Sequence, residues 1–142
     1  DLYCGAGTIS LFLSDAVERV VGVELIDEAI ADARANAAQN DVSNCTFVAG
    51  DLKTVFTDDF VSEHGTPDVL LVDPPRNGMH KRVTAQIEAL HPERLVYVSC
   101  NPQTQVRDLD RLHDAYRIDS VQPVDMFPHT PHIENVVSLR AI

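Results

Sequence analysis

Cys100 stands at a point in the sequence where a thiol could act as a nucleophile. Residues 95–98 form a short apolar, β-branched run, which predicts a buried strand of a parallel sheet. A helical pattern follows, in which Asn101 suits the N-cap and Pro102 suits the first helical position. A cysteine between a strand end and a helix N-terminus can reach a ligand, and the partial positive charge of the helix stabilises a thiolate. The alternative reading of a free cysteine is a small buried hydrophobic residue.

Side chains and glycines that could bind a ligand also end the other predicted strands. They are Gly5 and Gly7 after residues 1–4, Glu24 at the end of a strand at 20–24, Asp51 after a strand at 45–49, and Asp73 after a strand at 68–72. The carboxyl ends of parallel strands meet at one edge of a sheet, and open α/β sheets bind their ligands there. This pattern predicts a binding site along that edge.

Helical patterns separate these strands. We expect helices after Gly7, at 28–39 with Asp27 as its N-cap, at 81–90, and after Asn101. The apolar positions that define three of these patterns are Ile9, Phe12 and Leu13; Ile30, Ala33 and Ala37; and Val106, Leu109 and Leu112. Two late strands at 116–124 and 134–140 are joined by a loop at 125–132. The alternation predicts a doubly wound, Rossmann-like α/β fold.

The composition limits the class of protein. The chain has 142 residues, 44% of them hydrophobic, as expected of one globular domain. Its net charge of −11 does not by itself attract nucleic acid, because phosphate binding needs a basic patch. No apolar run reaches the ~20 residues that span a bilayer. The three cysteines are an odd number without CxxC spacing, so we expect a reducing, cytoplasmic setting and no disulfide framework. The start at Asp1, without Met, suggests a fragment of a longer protein whose first strand is truncated.

The ligand of the glycine turn could be a dinucleotide or S-adenosylmethionine. The turn lacks the third glycine of GxGxxG and has Ser10 in that position. The carboxylate of Asp1 would repel a pyrophosphate and attract the ammonium group of a methionine moiety. With Glu24 on the ribose and Asp51 on the adenine amine, three acids suit a cationic sulfonium cofactor better than NAD.

Six segments together resemble one enzyme family. They are DLYCGAGT at 1–8, VGVE at 21–24, GD at 50–51, VDPPR at 72–76, VSCNP at 98–102 and DMFPHTPHIE at 125–134. The sequence is similar to the S-adenosylmethionine-dependent RNA uracil-C5 methyltransferases, which make 5-methyluridine in transfer and ribosomal RNA. The resemblance covers residues 1–142 and implies a class I methyltransferase fold with an antiparallel last strand. It also implies that this is the C-terminal catalytic domain of a protein whose other domains hold most of the RNA.

The resemblance assigns roles to individual residues. Cys100 corresponds to the nucleophile and Glu134 to the base, while Tyr3, Thr8, Glu24, Asp51 and Asp73 correspond to cofactor contacts, beside Asp1, Gly5 and Gly7. We expect the substrate to contact Asp73, Pro74, Arg76, Asn101 and His129. The motif DMFPHT at 125–130 resembles the ribosomal-RNA branch of the family more than the transfer-RNA branch.

The chemistry explains these residue types. Carbon 5 of uracil is a poor nucleophile, and a thiolate that adds to carbon 6 makes carbon 5 nucleophilic enough to take a methyl group. A carboxylate then removes the hydrogen from carbon 5. A metal site of Asp125, His129, His132 and Glu134 is the less favoured reading, because this chemistry needs no metal. Cys4 and Cys45 are interpreted as packing residues.

Three alternatives remain open at this stage. An NAD-dependent oxidoreductase would bind the dinucleotide more tightly than S-adenosylmethionine. A methyltransferase acting on an exocyclic amine would carry an aromatic residue after Asp-Pro-Pro, where this chain has Arg76. A cofactor-binding module without activity of its own would be inactive unless joined to further domains.

Overall fold

A computed structural model describes residues 1–142. The chain forms two compact units, Asp1–His64 and Gly65–Ile142. None of the helices combines the length and the apolar character that crossing a bilayer requires.

The first unit is built on two parallel strands. Strands β1 (Val20–Glu24) and β2 (Cys45–Ala49) pair from Val20 opposite Cys45 to Glu24 opposite Ala49, and Leu2 forms a parallel bridge to Val23. The helices of this unit are α1 (Thr8–Leu13), α2 (Asp27–Gln39), α3 (Leu52–Val55) and α4 (Asp58–His64), with a 3₁₀ turn at Ser14–Ala16. The predicted strands are confirmed, whereas α3 and α4 were not predicted.

Helix α2 supplies most of the core of the first unit. Its predicted apolar face, Ile30, Ala33 and Ala37, packs with Cys4 and Phe47. The prediction that Asp27 is the N-cap is wrong: the helix begins at Asp27, and Ile26 occupies the cap position without a side-chain hydrogen bond. A carboxylate in the first turn is still favoured by the helix dipole. In α1 the predicted apolar residue Phe12 is 84% exposed.

The second unit is a four-stranded mixed sheet in the order β3-β4-β6-β5. Its elements are β3 (Val69–Val72), α5 (Lys81–Leu90), β4 (Arg94–Ser99), α6 (Pro102–Asp110), β5 (Tyr116–Val124) and β6 (Glu134–Ala141). Strands β3 and β4 are parallel, and β6 is antiparallel to both β4 and β5. The predicted α/β fold with an antiparallel last strand is therefore confirmed.

Alternation along β4 sets the burial of its side chains. Leu95, Tyr97 and Ser99 are buried, so Cys100 follows on the opposite side of the strand, where it is half-buried. Helix α6 begins at Pro102 with Asn101 as its N-cap, as predicted. The predicted apolar face is wrong at Val106, which is 65% exposed, whereas Leu112 is buried and Leu109 is half-buried.

Candidate active site

The glycine turn of the first unit has two glycines with different roles. Gly7 has a φ of 81°, and a Cβ there would lie 2.9 Å from Cζ of Phe47, so packing requires glycine. Gly5 has a φ of 53°, and a Cβ there would meet no atom within 4 Å. Tyr3, also named as a cofactor contact, has a φ of 69°. The backbone at Gly5 is therefore open to a ligand, whereas Gly7 holds the turn against the core.

Glu24 joins the turn to the start of helix α2. Its Oε2 accepts a hydrogen bond from the backbone N–H of Gly5 at 3.2 Å. Its Oε1 accepts from the backbone N–H groups of Leu25 at 2.7 Å and Ile26 at 3.1 Å. These three donors orient the carboxylate, and Oε2, which accepts one hydrogen bond, keeps capacity to accept from a ligand hydroxyl group.

Asp1 has one buried oxygen that no donor reaches. Its Oδ2 accepts a hydrogen bond from the Ser10 hydroxyl at 2.6 Å, while Oδ1 is buried without a partner. A buried carboxylate oxygen in this state favours a cationic or hydrogen-bond-donating ligand. Together with the open backbone at Gly5, this fits the ammonium group of a methionine-type cofactor. Thr8, the first residue of α1, is exposed.

Asp51 caps the short helix α3. Its Oδ1 accepts a hydrogen bond from the Lys53 backbone N–H at 3.0 Å, and its Oδ2 lies 2.8 Å from Lys53 Nζ. An adenine amine at this carboxylate would share it with the Lys53 ammonium group. The predicted contact of Asp51 with the cofactor stays a prediction.

In the second unit, the strand register aligns the two residues predicted to do the chemistry. Strands β4 and β6 pair Val98 with Val136 and Ser99 with Asn135. The ladder ends at this pair, and Cys100 follows it on the β4 side while Glu134 precedes it on β6. The two residues, 34 positions apart in the sequence, therefore lie at the same end of the sheet.

Asp73 belongs to the same end of the second unit. It follows β3, whose last residue Val72 pairs with Tyr97 of β4. Burial raises the pKa of the Asp73 carboxyl group, and the negative charge of Glu134 raises it further. This effect requires Asp73 to lie near Glu134, so a second acid is close to the candidate base.

Hydrogen bonds of Ser99 and Asn101, the residues on either side of Cys100, hold the turn that carries it. The Ser99 hydroxyl accepts from the Asn101 backbone N–H at 3.0 Å, and Asn101 Oδ1 accepts from the Gln103 N–H at 3.2 Å. Asn101 Nδ2 also donates to the carbonyl oxygen of Arg76 at 3.0 Å. Asn101 thus links the cysteine turn to the Asp-Pro-Pro-Arg loop, which is a positioning role distinct from the predicted substrate contact.

Arg76 connects this loop to the loop at 125–132. Its Nη2 lies 2.8 Å from Nδ1 of His132. Because a guanidinium group only donates, Nδ1 of His132 is the acceptor in this contact. His129, in the same loop, is exposed and has a φ of 66°, while Pro74 is buried. No group of three or more His, Cys, Asp or Glu side chains is arranged to hold a metal ion.

Sequence reasoning missed two buried polar residues beneath the candidate active site. Gln105 and Asp108 of helix α6 are 1% and 0% exposed. Gln105 bonds to Tyr97 and Asn135, and Asp108 bonds to Tyr97 and to the backbone of Met79. The available signal was the polar pair at positions i and i+3 on the helix, with arginines at 107 and 111 beside Asp108.

Comparison with known proteins identifies the family. A sequence model of the tRNA (uracil-5-)-methyltransferases matches residues 1–142. The chain belongs to this family. A relative from Bacteroides thetaiotaomicron, named as an uncharacterized RNA methyltransferase, is 53% identical over 140 residues. That match covers 99% of this chain and 31% of the relative. A relative of the same description from Porphyromonas gingivalis is 52% identical over 141 residues, with 98% of this chain and 30% of the relative covered.

Solved structures agree with the family assignment. The tRNA (uracil-54, C5)-methyltransferase of Pyrococcus abyssi, solved in complex with S-adenosyl-L-homocysteine, matches with a TM-score of 0.85 and 39% identity. This match covers 98% of this chain and 33% of that protein. TrmN of Thermus thermophilus shares the fold with a TM-score of 0.73 at 19% identity. The chain thus spans about a third of the length of the tRNA (uracil-5-)-methyltransferase relatives that it matches.

Proposed function

We propose that this chain is the catalytic part of an S-adenosylmethionine-dependent enzyme that methylates carbon 5 of a uridine in RNA. The observation that carries the proposal is the β4–β6 register, whose last pair, Ser99 with Asn135, adjoins Cys100 on one strand and Glu134 on the other. Membership of the tRNA (uracil-5-)-methyltransferase family supports the reaction class. A thiol and a carboxylate are the two groups that this reaction requires.

The first unit would hold the cofactor. Asp1 and the open backbone at Gly5 suit its ammonium group, and Glu24 suits its ribose hydroxyls, while Tyr3, Thr8 and Asp51 are further proposed contacts. When bound, S-adenosylmethionine supplies an electrophilic methyl group. The cofactor bound to the Pyrococcus abyssi relative is the demethylated form of this molecule, which supports the choice.

The residues of the second unit would act on the uracil ring. The thiolate of Cys100 forms a bond to carbon 6, and the electron pair of the C5–C6 double bond makes carbon 5 nucleophilic. After carbon 5 has gained its methyl group, Glu134 takes the remaining hydrogen of that carbon as a proton. The electrons of the broken C–H bond restore the double bond, the C6–S bond breaks, and Cys100 leaves as a thiolate.

Asp73 would assist as a hydrogen-bond donor when its carboxyl group is protonated. Burial first and the negative charge of Glu134 second raise the pKa of this carboxyl group above the ordinary aspartate value, which makes protonation easier. A protonated carboxyl group can donate a hydrogen bond to a carbonyl oxygen of the base. Pro74, Arg76, Asn101 and His129 remain the proposed substrate contacts.

A basic surface beside the candidate active site suits the RNA backbone. Residues 76–82 contain Arg76, Lys81 and Arg82, all exposed, and no acid, in a chain with a net charge of −11. Lys81 and Arg82 occupy the first turn of α5, where the helix dipole disfavours cations. Residues that go against such local preferences, as Lys81 and Arg82 do here, are found most often at functional sites. We propose that this segment contacts phosphates next to the target uridine.

Ribosomal RNA is the substrate that we propose first, because the motif DMFPHT at 125–130 is closer to the ribosomal-RNA branch of the family. Transfer RNA is the alternative, named by the family description and by the Pyrococcus abyssi relative. We also propose that regions outside this chain hold much of the RNA, because the chain spans about a third of its relatives. Equal methylation by the isolated chain and the full-length gene product would contradict this.

Nucleoside mass spectrometry after deletion of the gene tests the function. We expect 5-methyluridine to fall in the ribosomal or the transfer fraction and to return with the unaltered gene but not with Cys100→Ala. Glu134→Gln should trap a covalent RNA–protein adduct that carries the transferred methyl group. Restoration of 5-methyluridine by Cys100→Ala would refute the proposed mechanism.

Charge reversal tests the basic surface. Lys81→Glu with Arg82→Glu should weaken RNA binding about tenfold or more at low salt. The slope of log K against the logarithm of the salt concentration should also become shallower, by about the amount expected for two lost phosphate contacts. Arg94→Glu is the matched control, because Arg94 starts β4 at the end of the strand away from Cys100. An equal loss in the control would show that total charge, and not this surface, governs binding.

A further inference from the structure

Gln105 ties three segments of the second unit together from one buried position. Its Nε2 donates to the carbonyl oxygen of Tyr97 at 2.9 Å and to that of Asn135 at 3.2 Å. Its Oε1 accepts from Nδ2 of Asn135 at 2.7 Å. The side chain of Gln105 is 1% exposed. A buried amide with both ends bonded is strongly oriented, since each bond left unmade would strand a buried polar group.

The partners of Gln105 lie next to the two proposed reacting groups. Asn135 directly follows Glu134, and Tyr97 lies three residues before Cys100 on the same strand. The Ser99 hydroxyl holds the cysteine turn, because it donates to the Asn101 carbonyl oxygen and accepts from the Asn101 backbone N–H. Glu134 begins β6 after the exposed loop at 125–132, and its backbone pairs with Val124 of β5 but with no residue of β4. The part-buried Gln105–Asn135 pair is therefore a side-chain link between helix α6 and the end of β6 that carries Glu134.

We propose that Gln105 is a positioning residue that holds Glu134 in place for proton abstraction from carbon 5, an inference that rests on the proposed function. Glu134 must take the proton from a carbon whose position is set by the bond between carbon 6 and Cys100. Gln105 sets the relevant distance because it binds the strands of both residues, β4 and β6. Loss of this link slows the step in which the C5–H and C6–S bonds break and leaves formation of the C6–S bond largely intact.

The test uses the full-length gene product and RNA labelled with tritium at carbon 5 of uridine. Gln105→Met conserves volume and removes all three hydrogen bonds. A base displaced by about 1 Å loses on the order of a hundredfold in rate, so we expect tritium release to slow roughly 10- to 100-fold. The KM for RNA should change less than about threefold. A methylated RNA–protein adduct should accumulate on denaturing gels.

Two further variants separate positioning from stability. Asn135→Ala removes only the 2.7 Å bond and keeps both bonds from Gln105 Nε2, so it carries the test if Gln105→Met does not fold. Tyr116→Phe is the matched control, since it removes a buried 3.0 Å bond to the Pro92 carbonyl oxygen at the opposite end of β4. Tritium release by the control should stay within about twofold of the unaltered protein.

The outcomes are distinct. Slow tritium release with adduct accumulation in Gln105→Met or Asn135→Ala, but not in Tyr116→Phe, supports the positioning role. Release at the unaltered rate in both variants, or an equal slowing in Tyr116→Phe, overturns it while the proposed function stands. If the unaltered protein forms no adduct and releases no tritium, the proposed function fails, and the role of Gln105 fails with it.

Discussion

Asp108 anchors the loop that follows Asp73, and its replacement should have a cost that depends on which hydrogen bonds survive. The carboxylate is 0% exposed. Its Oδ2 accepts from the Met79 backbone N–H at 2.6 Å and from the Tyr97 hydroxyl at 2.9 Å. Its Oδ1 accepts from Arg107 at 2.9 Å and from Arg111 at 3.1 Å. One oxygen therefore serves the interior, and the other serves two arginines at the surface.

Asp108→Asn can keep the interior bonds. With its amide oxygen toward Met79 and Tyr97, the new NH₂ group faces arginines whose side chains are 45% and 39% exposed and can turn into water. Ion pairs with such exposed partners contribute ~1 kcal/mol or less each, so the loss should be ~1–2 kcal/mol. Asp108→Ala removes every acceptor, leaves the Met79 N–H unpaired at 2% exposure, and should cost ~3–5 kcal/mol.

Urea unfolding followed by circular dichroism measures both variants. We expect the free energy of unfolding to be lower in Asp108→Asn than in the unaltered chain, and lower again by ~2 kcal/mol in Asp108→Ala. The m-values should not change. The difference between Asp108→Asn and the unaltered chain should shrink at high salt, because its cause is the pairing with exposed arginines. If Asp108→Ala is no less stable than Asp108→Asn, the Met79 N–H does not depend on this carboxylate, and the reasoning is refuted.

Three further predictions concern candidate site residues of the first and the second unit. Gly5→Ala should weaken S-adenosylmethionine binding about tenfold in calorimetry and lower the Tm modestly, because its φ of 53° strains an alanine although no atom meets the Cβ, whereas Gly7→Ala should lower the Tm further, because its Cβ would also meet a core ring at 2.9 Å; a larger loss of Tm in Gly5→Ala would contradict the roles given to the two glycines. Because burial and a neighbouring charge raise the pKa of Asp73, its ionised form opposes folding, and this effect is absent below the unfolded-state value of 3.8, grows as the pH rises from there to the folded-state pKa and is constant above it. Asp73→Asn should therefore raise the Tm at neutral pH and leave it unchanged below pH 3.8. Burial raises the pKa of the Cys4 thiol to about 11, so peptide mapping after iodoacetamide treatment should find half-buried Cys100 modified before Cys4; equal modification would count against an accessible Cys100.

The helix cap at Asn101 shows why much of the fold could be predicted. A cap is a local interaction, here between the Asn101 side chain and the Gln103 N–H at 3.2 Å, and it needs only residues adjacent in the sequence. The strands at 20–24 and 45–49 were predicted for the same reason, since apolar β-branched runs between polar turns are local patterns. Such signals are sufficient for the order of elements in an α/β chain.

The buried face of α6 shows where local patterns fail. Spacing alone favours Val106, yet this residue is 65% exposed, while Gln105 and Asp108 on the neighbouring face are buried. A polar side chain can be buried only when hydrogen-bond partners meet it. The partners here are Asn135 and the backbone of Met79, which lie about 30 residues away in opposite directions along the chain. No window of sequence around α6 contains them.

The same limit applies to the pairing on which the proposed chemistry depends. Side chains alternate along a strand, so a slip of one residue between β4 and β6 would change which face each paired side chain presents. The register is held because Tyr97 of β4 and its partner Val137 of β6 are both buried, at 0% and 2% exposure, and only one alignment buries both rows at once. The alternation continues past Ser99, so Cys100 lies on the less buried face of the strand. The packing of an apolar face thus determines which residues lie at the end of the β4–β6 ladder, and the identities of Cys100 and Glu134 alone could not specify that alignment.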